Sequence, residues 1–388
     1  MTRPLVPGWR RPLAAAVAGA LLLLGGCSGG NGDDEKQVLG PRIKGTSSSS
    51  EAPVLQSGDS WDNLGATNTD DGVRSYSIER EADKESVQIA VNTLIANGSE
   101  DGITVELKTP TGHSCGTDSD ESASYSKALL LSAAAVSDTD DEECLNSKRL
   151  IATVKRNSKN SSGWLDLRLR LFKAPHVDPE SFPDPPESTD DEPLAFGATV
   201  AKAGGTWMSD AVDVSGQTIN SEVANGAITT YKTAIKWGEG LKVHVNFPDV
   251  PPSIMPEVEK NKVRGFVVLL GPGGSQQESE DVDLTSPSSI PINLPIASIK
   301  KRSDNAAYQG TYTIVIGVRS ETPADVKIPF SLVSKPYGEA NGALGPETPL
   351  EVVTSTSTPQ PLLWGLLATG TLLTLAGAAQ VVLHRRHG

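Results

Sequence analysis

The sequence predicts a mainly β protein of two tandem β-sandwich domains followed by one C-terminal transmembrane helix. Three features point there: short segments in which apolar and polar residues alternate, a proline-rich acidic break that divides the chain, and an uncharged apolar stretch near its end. Alternation puts every second side chain on one face of a strand. It is clearest at Leu165, Leu167, Leu169 and Leu171, with Asp166, Arg168 and Arg170 between them. The same pattern marks Val87/Ile89/Val91, Ile103/Val105/Leu107, Leu241/Val243/Val245/Phe247, Tyr312/Ile314/Ile316/Val318 and Val326/Ile328/Phe330/Leu332, separated by Gly, Pro, Asn and Ser clusters. Many short strands with almost no helical periodicity indicate sandwiches. Lys127 to Val136 differs, its Ala and Leu content suiting a short helix.

The elements follow in order. Arg3, Arg10 and Arg11 precede an apolar run from Leu13 to Leu24, which has the parts of a secretory signal over 1–26. Residues 27–54 are Gly/Ser-rich and charged, as in a disordered tether. A first sandwich is expected over 55–174, a semi-rigid Pro/acidic linker over 175–193 and a second sandwich over 194–336. A Thr/Ser/Pro stalk spans 337–361. Leu362 to Leu383 carries no charge, and about 22 residues rising 1.5 Å each match the thickness of a hydrocarbon core. His384-Arg385-Arg386-His387 follows, so the positive-inside rule puts the 384–388 tail in the cytoplasm and the sandwiches outside.

The two blocks share an order of features, which indicates a tandem duplication. Trp61 is matched to Trp207, Val73–Ile78 to Ile228–Thr233, and Val87–Val91 to Leu241–Phe247. Val105–Gly112 is matched to Val268–Gly273, and the closing strands Leu150–Val154 and Leu165–Leu171 to Tyr312–Val318 and Val326–Val333.

Two resemblances add to this. Leu24-Gly25-Gly26-Cys27 before a Ser/Gly run resembles the lipobox of bacterial lipoproteins, which implies acylation of Cys27. With Cys27 lipidated, Cys115 and Cys144 remain in an oxidising compartment and are expected to be bonded, the alternative being two free thiols. The Tyr-containing strands (Tyr76, Tyr231), the strand-then-Pro/Gly turns and Gly310–Val318 are similar to bacterial pre-peptidase C-terminal modules, small β jelly rolls also found in tandem in membrane-anchored actinobacterial surface proteins. That resemblance implies jelly-roll-like accessory or binding modules and carries over no catalytic residue.

The net charge is −14, and the flanking charges Arg3, Arg10, Arg11, Arg385 and Arg386 are all basic, so the middle is more acidic still. Such a surface excludes nucleic-acid partners. Asp120-Glu121-Ser122-Ala123-Ser124 matches the Asp-x-Ser-x-Ser pattern of metal-dependent adhesion sites but lacks the preceding buried strand. Asp138–Glu143 and Glu278–Asp283 lack the spacing of a calcium loop and are expected to be solvated. Gly271-Pro272-Gly273-Gly274 lacks the Gly-Lys-Ser/Thr end of a phosphate loop and is expected to be a hairpin turn.

His113, His176 and His244 sit in no nucleophile motif, so no catalytic residue, metal or cofactor is expected. Trp61, Trp164, Trp207 and Trp237 are candidates for a stacking platform, with a core role favoured. The expected function is that of a non-enzymatic, membrane-anchored surface protein presenting binding modules to an envelope component or partner protein. The rivals are a hydrolase whose site assembles only in three dimensions and a solute-binding lipoprotein.

Overall fold

The computed structural model describes residues 40–80, 85–95, 100–122, 130–137, 141–157, 163–175, 178–186, 192–300, 308–322 and 324–345. The expected signal segment, Cys27, the stretch 362–383 expected to cross the membrane and the 384–388 tail lie outside these residues. No helix among the described residues is long and apolar enough to cross a membrane.

The first sandwich contains β1 (Gly58–Leu64), β2 (Val73–Glu79), β3 (Glu85–Leu94), β4 (Asp101–Lys108), β5 (Ser114–Ser122), β6 (Leu130–Val136), β7 (Arg149–Arg156) and β8 (Leu165–Pro175). Its sheets run β1-β8-β3-β6 and β2-β7-β4-β5, a jelly-roll order. The second contains β9 (Thr199–Ala201), β10 (Val212–Asp213), β11 (Thr218–Ala224), β12 (Ile228–Ile235), β13 (Glu239–Phe247), β14 (Arg264–Leu270), β15 (Gln276–Asp283), β16 (Ser288–Leu294), β17 (Gly310–Arg319) and β18 (Lys327–Gly338). Its sheets run β16-β13-β18-β11-β9 and β10-β12-β17-β14-β15. Apart from the short β9 and β10, strand order repeats one for one.

The repetition extends to register. Bridges Arg42↔Trp61, Thr46↔Ser75 and Val54↔Ser77 recur as Ala201↔Asn220, Gly205↔Thr230 and Asp213↔Lys232. Each sandwich also has a glycine lying flat on its buried tyrosine. A Cβ at Gly45 would stand 2.8 Å from the Tyr76 ring and one at Gly204 2.8 Å from that of Tyr231. This register corrects one expected match: the counterpart of Trp61 is Asn220, while Trp207 lies in the loop before β10.

Three boundaries also need correcting. The second half of the expected tether, residues 40–54, belongs to the first sandwich, where Gly45 N–H donates to buried Asp62 at 2.8 Å and Ala52 is buried. A Gly/Ser-rich composition reads as a linker, yet here its small residues permit close backbone packing. The linker likewise adheres to the second sandwich. Phe182 packs on its core, Lys300 pairs with Glu180 and Asp184 at 3.6 and 3.4 Å, and Lys242 Nζ donates to the Glu192 carbonyl at 2.9 Å. The second sandwich runs beyond 336, because Leu344 is buried and Asn341 N–H donates to the Trp237 carbonyl.

The inner faces are the alternating residues read from the sequence, among them Ile89, Val105 and Leu169 in one core and Val243, Ile314 and Phe330 in the other. The helix expected within Lys127–Val136 is not formed where the chain is described. Leu130–Val136 is strand β6, paired antiparallel with β3. Pairing and burial override the weak helical propensity of alanine and leucine in so short a segment. The helix between the cysteines is instead α1 (Glu142–Asn146), capped by the Asp141 carboxylate, which accepts from Glu143 and Cys144 N–H.

That helix presents Cys144 to Cys115, and the two form a disulfide with a Cα–Cα distance of 5.5 Å. Closing a loop of 29 residues constrains the unfolded chain. The C115S/C144S double variant is therefore expected to lose about 3–4 kcal/mol in urea unfolding. A loss below about 1 kcal/mol would mean that the unfolded chain gains little freedom.

Candidate functional site

The two sandwiches share a third apolar core. The outer face of β14 carries Phe266, Val268 and Leu270, which meet Leu130 of β6 and Leu94 of β3, with Trp207, Met208 and Val315 completing the cluster. Local sequence makes this contact close. Gly317 is the cross-strand neighbour of Phe266, and a Cβ there would stand 2.2 Å from the ring, so glycine lets the phenyl lie flat on β17. The Gly271–Gly274 segment is the hairpin turn expected from its sequence, closed by Gly274 N–H to the Gly271 carbonyl at 2.8 Å with Gly274 at φ +83°. Its carbonyls dock on the first sandwich: Gly274 accepts from Asn92 Nδ2 at 3.2 Å and Pro272 from Arg170 Nη1 at 3.3 Å.

The arginines of β8 that alternate with its leucines therefore face protein. Arg170 is 6% exposed and bonds Asp59 through Nε at 2.6 Å and Nη2 at 2.8 Å. The Arg168 guanidinium lies 5.1 Å from the centre of the Trp207 ring.

Where this shared core reaches solvent it opens into a cleft of about 160 Å³. Leu130, Phe266 and Val268 form its apolar part, Gln276 and Ser279 are polar, and Asp120, Glu280 and Asp281 supply carboxylates beside Arg319. The edge strands β5 and β15 position these acids. Asp281 is paired with Arg264 at 2.8 Å and with Arg319 at 2.9 Å. Asp120 Oδ2 accepts from Ser132 N–H at 2.8 Å, and Asp118 Oδ2 from Ala134 N–H, so alternate carboxylates of β5 bond the free edge of β6. Burial, then the neighbouring Asp118 and Glu121, push the Asp120 carboxyl above its ordinary value against the pull of its backbone bonds. A cleft this small holds the end of a side chain or a small ion; whole drug-sized ligands need about 300 Å³ or more.

Other residues singled out from the sequence fall elsewhere. His113 Nε2 is 2.6 Å from Asp141 Oδ2, a bond that raises its pKa. His113, Asp141 and Cys144 group within 4.8 Å, but the Cys144 sulfur is in the disulfide, leaving two donors, which does not fit a metal site. His244 Nδ1 lies 2.7 Å from the Leu194 carbonyl, with the Phe196 ring against the imidazole. His176 and Ser124 lie outside the described residues.

Tyr76 hydroxyl donates to Asp62 Oδ2 at 2.8 Å, and burial first, then Asp62, raises the phenol well above its usual range. The acidic run Glu278–Asp283 is the edge strand β15. Trp207 and Trp237 are buried, as core residues would be. Trp61 is half-buried under the Arg42 guanidinium at 4.8 Å, while Trp164 is 62% exposed beside Arg74. The four therefore form no single platform. The sequence had marked both Asp120 and Glu278–Asp283, but nothing in it signalled that they meet.

The chain matches no family model and no curated protein sequence. Among solved structures it is similar to the empty top-component particle of cowpea mosaic virus, at 8% identity over 73% of this chain and 91% of that one, with a TM-score of 0.21. It is also similar to the tandem CBM22 domains of Paenibacillus barcinonensis Xyn10C, at 12% identity over 72% and 93% and a TM-score of 0.20. A third similarity is to PNGF-II, at 8% identity over 74% and 65% and a TM-score of 0.21. Likenesses this distant carry no argument about what the chain does.

Proposed function

We propose that the chain is a non-enzymatic extracytoplasmic protein, held in the membrane by the 362–383 helix and a lipid on Cys27, that presents two docked jelly rolls to an envelope component or partner protein. The observation that carries this reading is the Cys115–Cys144 disulfide, because such bonds persist in oxidising compartments and are rare in the cytosol. It agrees with the export-type N-terminus and with the orientation that the basic tail gives the apolar stretch. A non-enzymatic role is supported by the occupation of His113 and His244, each engaged by its own neighbours away from the cleft.

The test is the intact mass of the membrane-extracted chain, with and without reduction and alkylation. A start at Cys27 carrying acyl mass, with one protected bridge, is expected. A Met1 start with free thiols overturns export and lipidation together. Robust turnover of peptidoglycan or peptides by the purified protein would overturn the non-enzymatic part.

A further inference from the structure

We propose that the cleft between the sandwiches binds an alkylammonium group, the end of a lysine side chain or of a free aliphatic amine. It goes beyond the surface-protein reading and does not depend on where the chain resides. Three observations carry it.

The cleft has two kinds of wall, with Leu130, Phe266 and Val268 suited to methylenes and Asp120 and Glu280 to a cation. Arg319, the positive group in its lining, is bonded to Asp281, so among the described residues Asp120 and Glu280 have no cationic partner in the cleft. The volume of about 160 Å³ suits the end of an aliphatic chain better than a larger ligand.

An unpartnered group adjoins it. Ser132 is 8% exposed and its Oγ has no hydrogen-bond partner. It stands on the same face of β6 as the cleft-lining Leu130, and its own N–H bonds the cleft-lining Asp120. Cross-strand from it, fully buried Asn92 has an unpartnered Oδ1. Ser132 Oγ, left unbonded beside a lining carboxylate, invites a donor, and an ammonium offers three.

A divalent ion is the poorer fit. Among the described residues the group of three close metal donors is the one at His113, so the cleft carboxylates do not converge on one point. A chain with a charged end reaches several acids in turn, and it also relieves the burial of the Asp120 charge.

The test uses the full chain in a neutral detergent, with binding of 1,5-diaminopentane and of Nα-acetyl-lysine methylamide followed by calorimetry. The Nε-acetylated lysine analogue is the neutral control. Both amines are expected to bind and the acetylated analogue not to. Asp120→Asn should weaken binding about tenfold, as loss of a hydrogen bond to a charged group does. Glu280→Gln, on the exposed edge strand, should weaken it about threefold and reads the same site if the Asp120 variant fails to fold.

Binding of the lysine amide alone would assign the site to a partner's side chain, and of the diamine alone to a free amine. Either keeps the ammonium assignment. Absence of binding by both, equal binding of the acetylated analogue, or undiminished binding by both variants overturns it.

Discussion

Replacing Arg156 with alanine is expected to destabilise the first sandwich by about 3–5 kcal/mol, because it strands a buried carboxylate. Asp101 and Arg156 have side chains 6% and 5% exposed, and three contacts join them: Nε to Oδ1 at 3.0 Å, Nε to Oδ2 at 3.1 Å and Nη2 to Oδ2 at 2.5 Å. Arg156 Nη1 also donates to the carbonyls of Gly65 and Gly163. The second sandwich shows how the same place is filled without charge. In the matching register Arg156 becomes Val318 and Asp101 becomes Val263, both fully buried. The D101V/R156V double variant should therefore retain most of the stability that R156A loses, apart from the two stranded carbonyls. Urea unfolding of the three proteins measures this, and an R156A loss below about 1 kcal/mol would show that the pair is effectively solvated.

Trp207→Ala is expected to cost about 3–5 kcal/mol, the range for a large aromatic removed from a packed site, and to uncouple the sandwiches. Trp207 is 2% exposed in the core between them and lies against Arg168 from the first. Contacts of this kind make two domains melt together. Calorimetry should show one transition for the parent and two for W207A. Trp237→Ala is the control, since Trp237 is equally buried but lies within the second core. Two transitions in W237A, or one in W207A, would contradict the assignment of coupling to the shared core.

The inner faces were legible because alternation reports directly on which side of a strand is apolar. What covers the other side was not. Arg168 and Arg170 between leucines suggest a solvent-facing surface, yet they meet Trp207, Asp59 and the Pro272 carbonyl, partners contributed by distant segments. The five matched strands were legible because strand order is a property of the linear chain. The Trp61–Trp207 match failed because a shared residue type near the start of two blocks says nothing about register, which fixed Asn220 instead. The cleft was half legible: the acids of β5 and β15 stood out as runs of charge, but their approach depends on how the third core brings two domains together.

Docking between the sandwiches is head-to-tail. One sheet of the first repeat meets the other sheet of the second, and a heterologous contact of this kind would continue into an open fibre if the repeats presented identical faces. They do not. Where β14 carries Phe266, Val268 and Leu270, the matching positions of β4 carry Thr104, Glu106 and Lys108, and Glu106 is bonded to Lys155 and Lys108. The opposite end is closed too, since the chain at Glu192 and Leu194 lies over Lys242 and His244 of β13. The array is thus capped at two units, and a repeat that could have continued as a polymer stops at a pair.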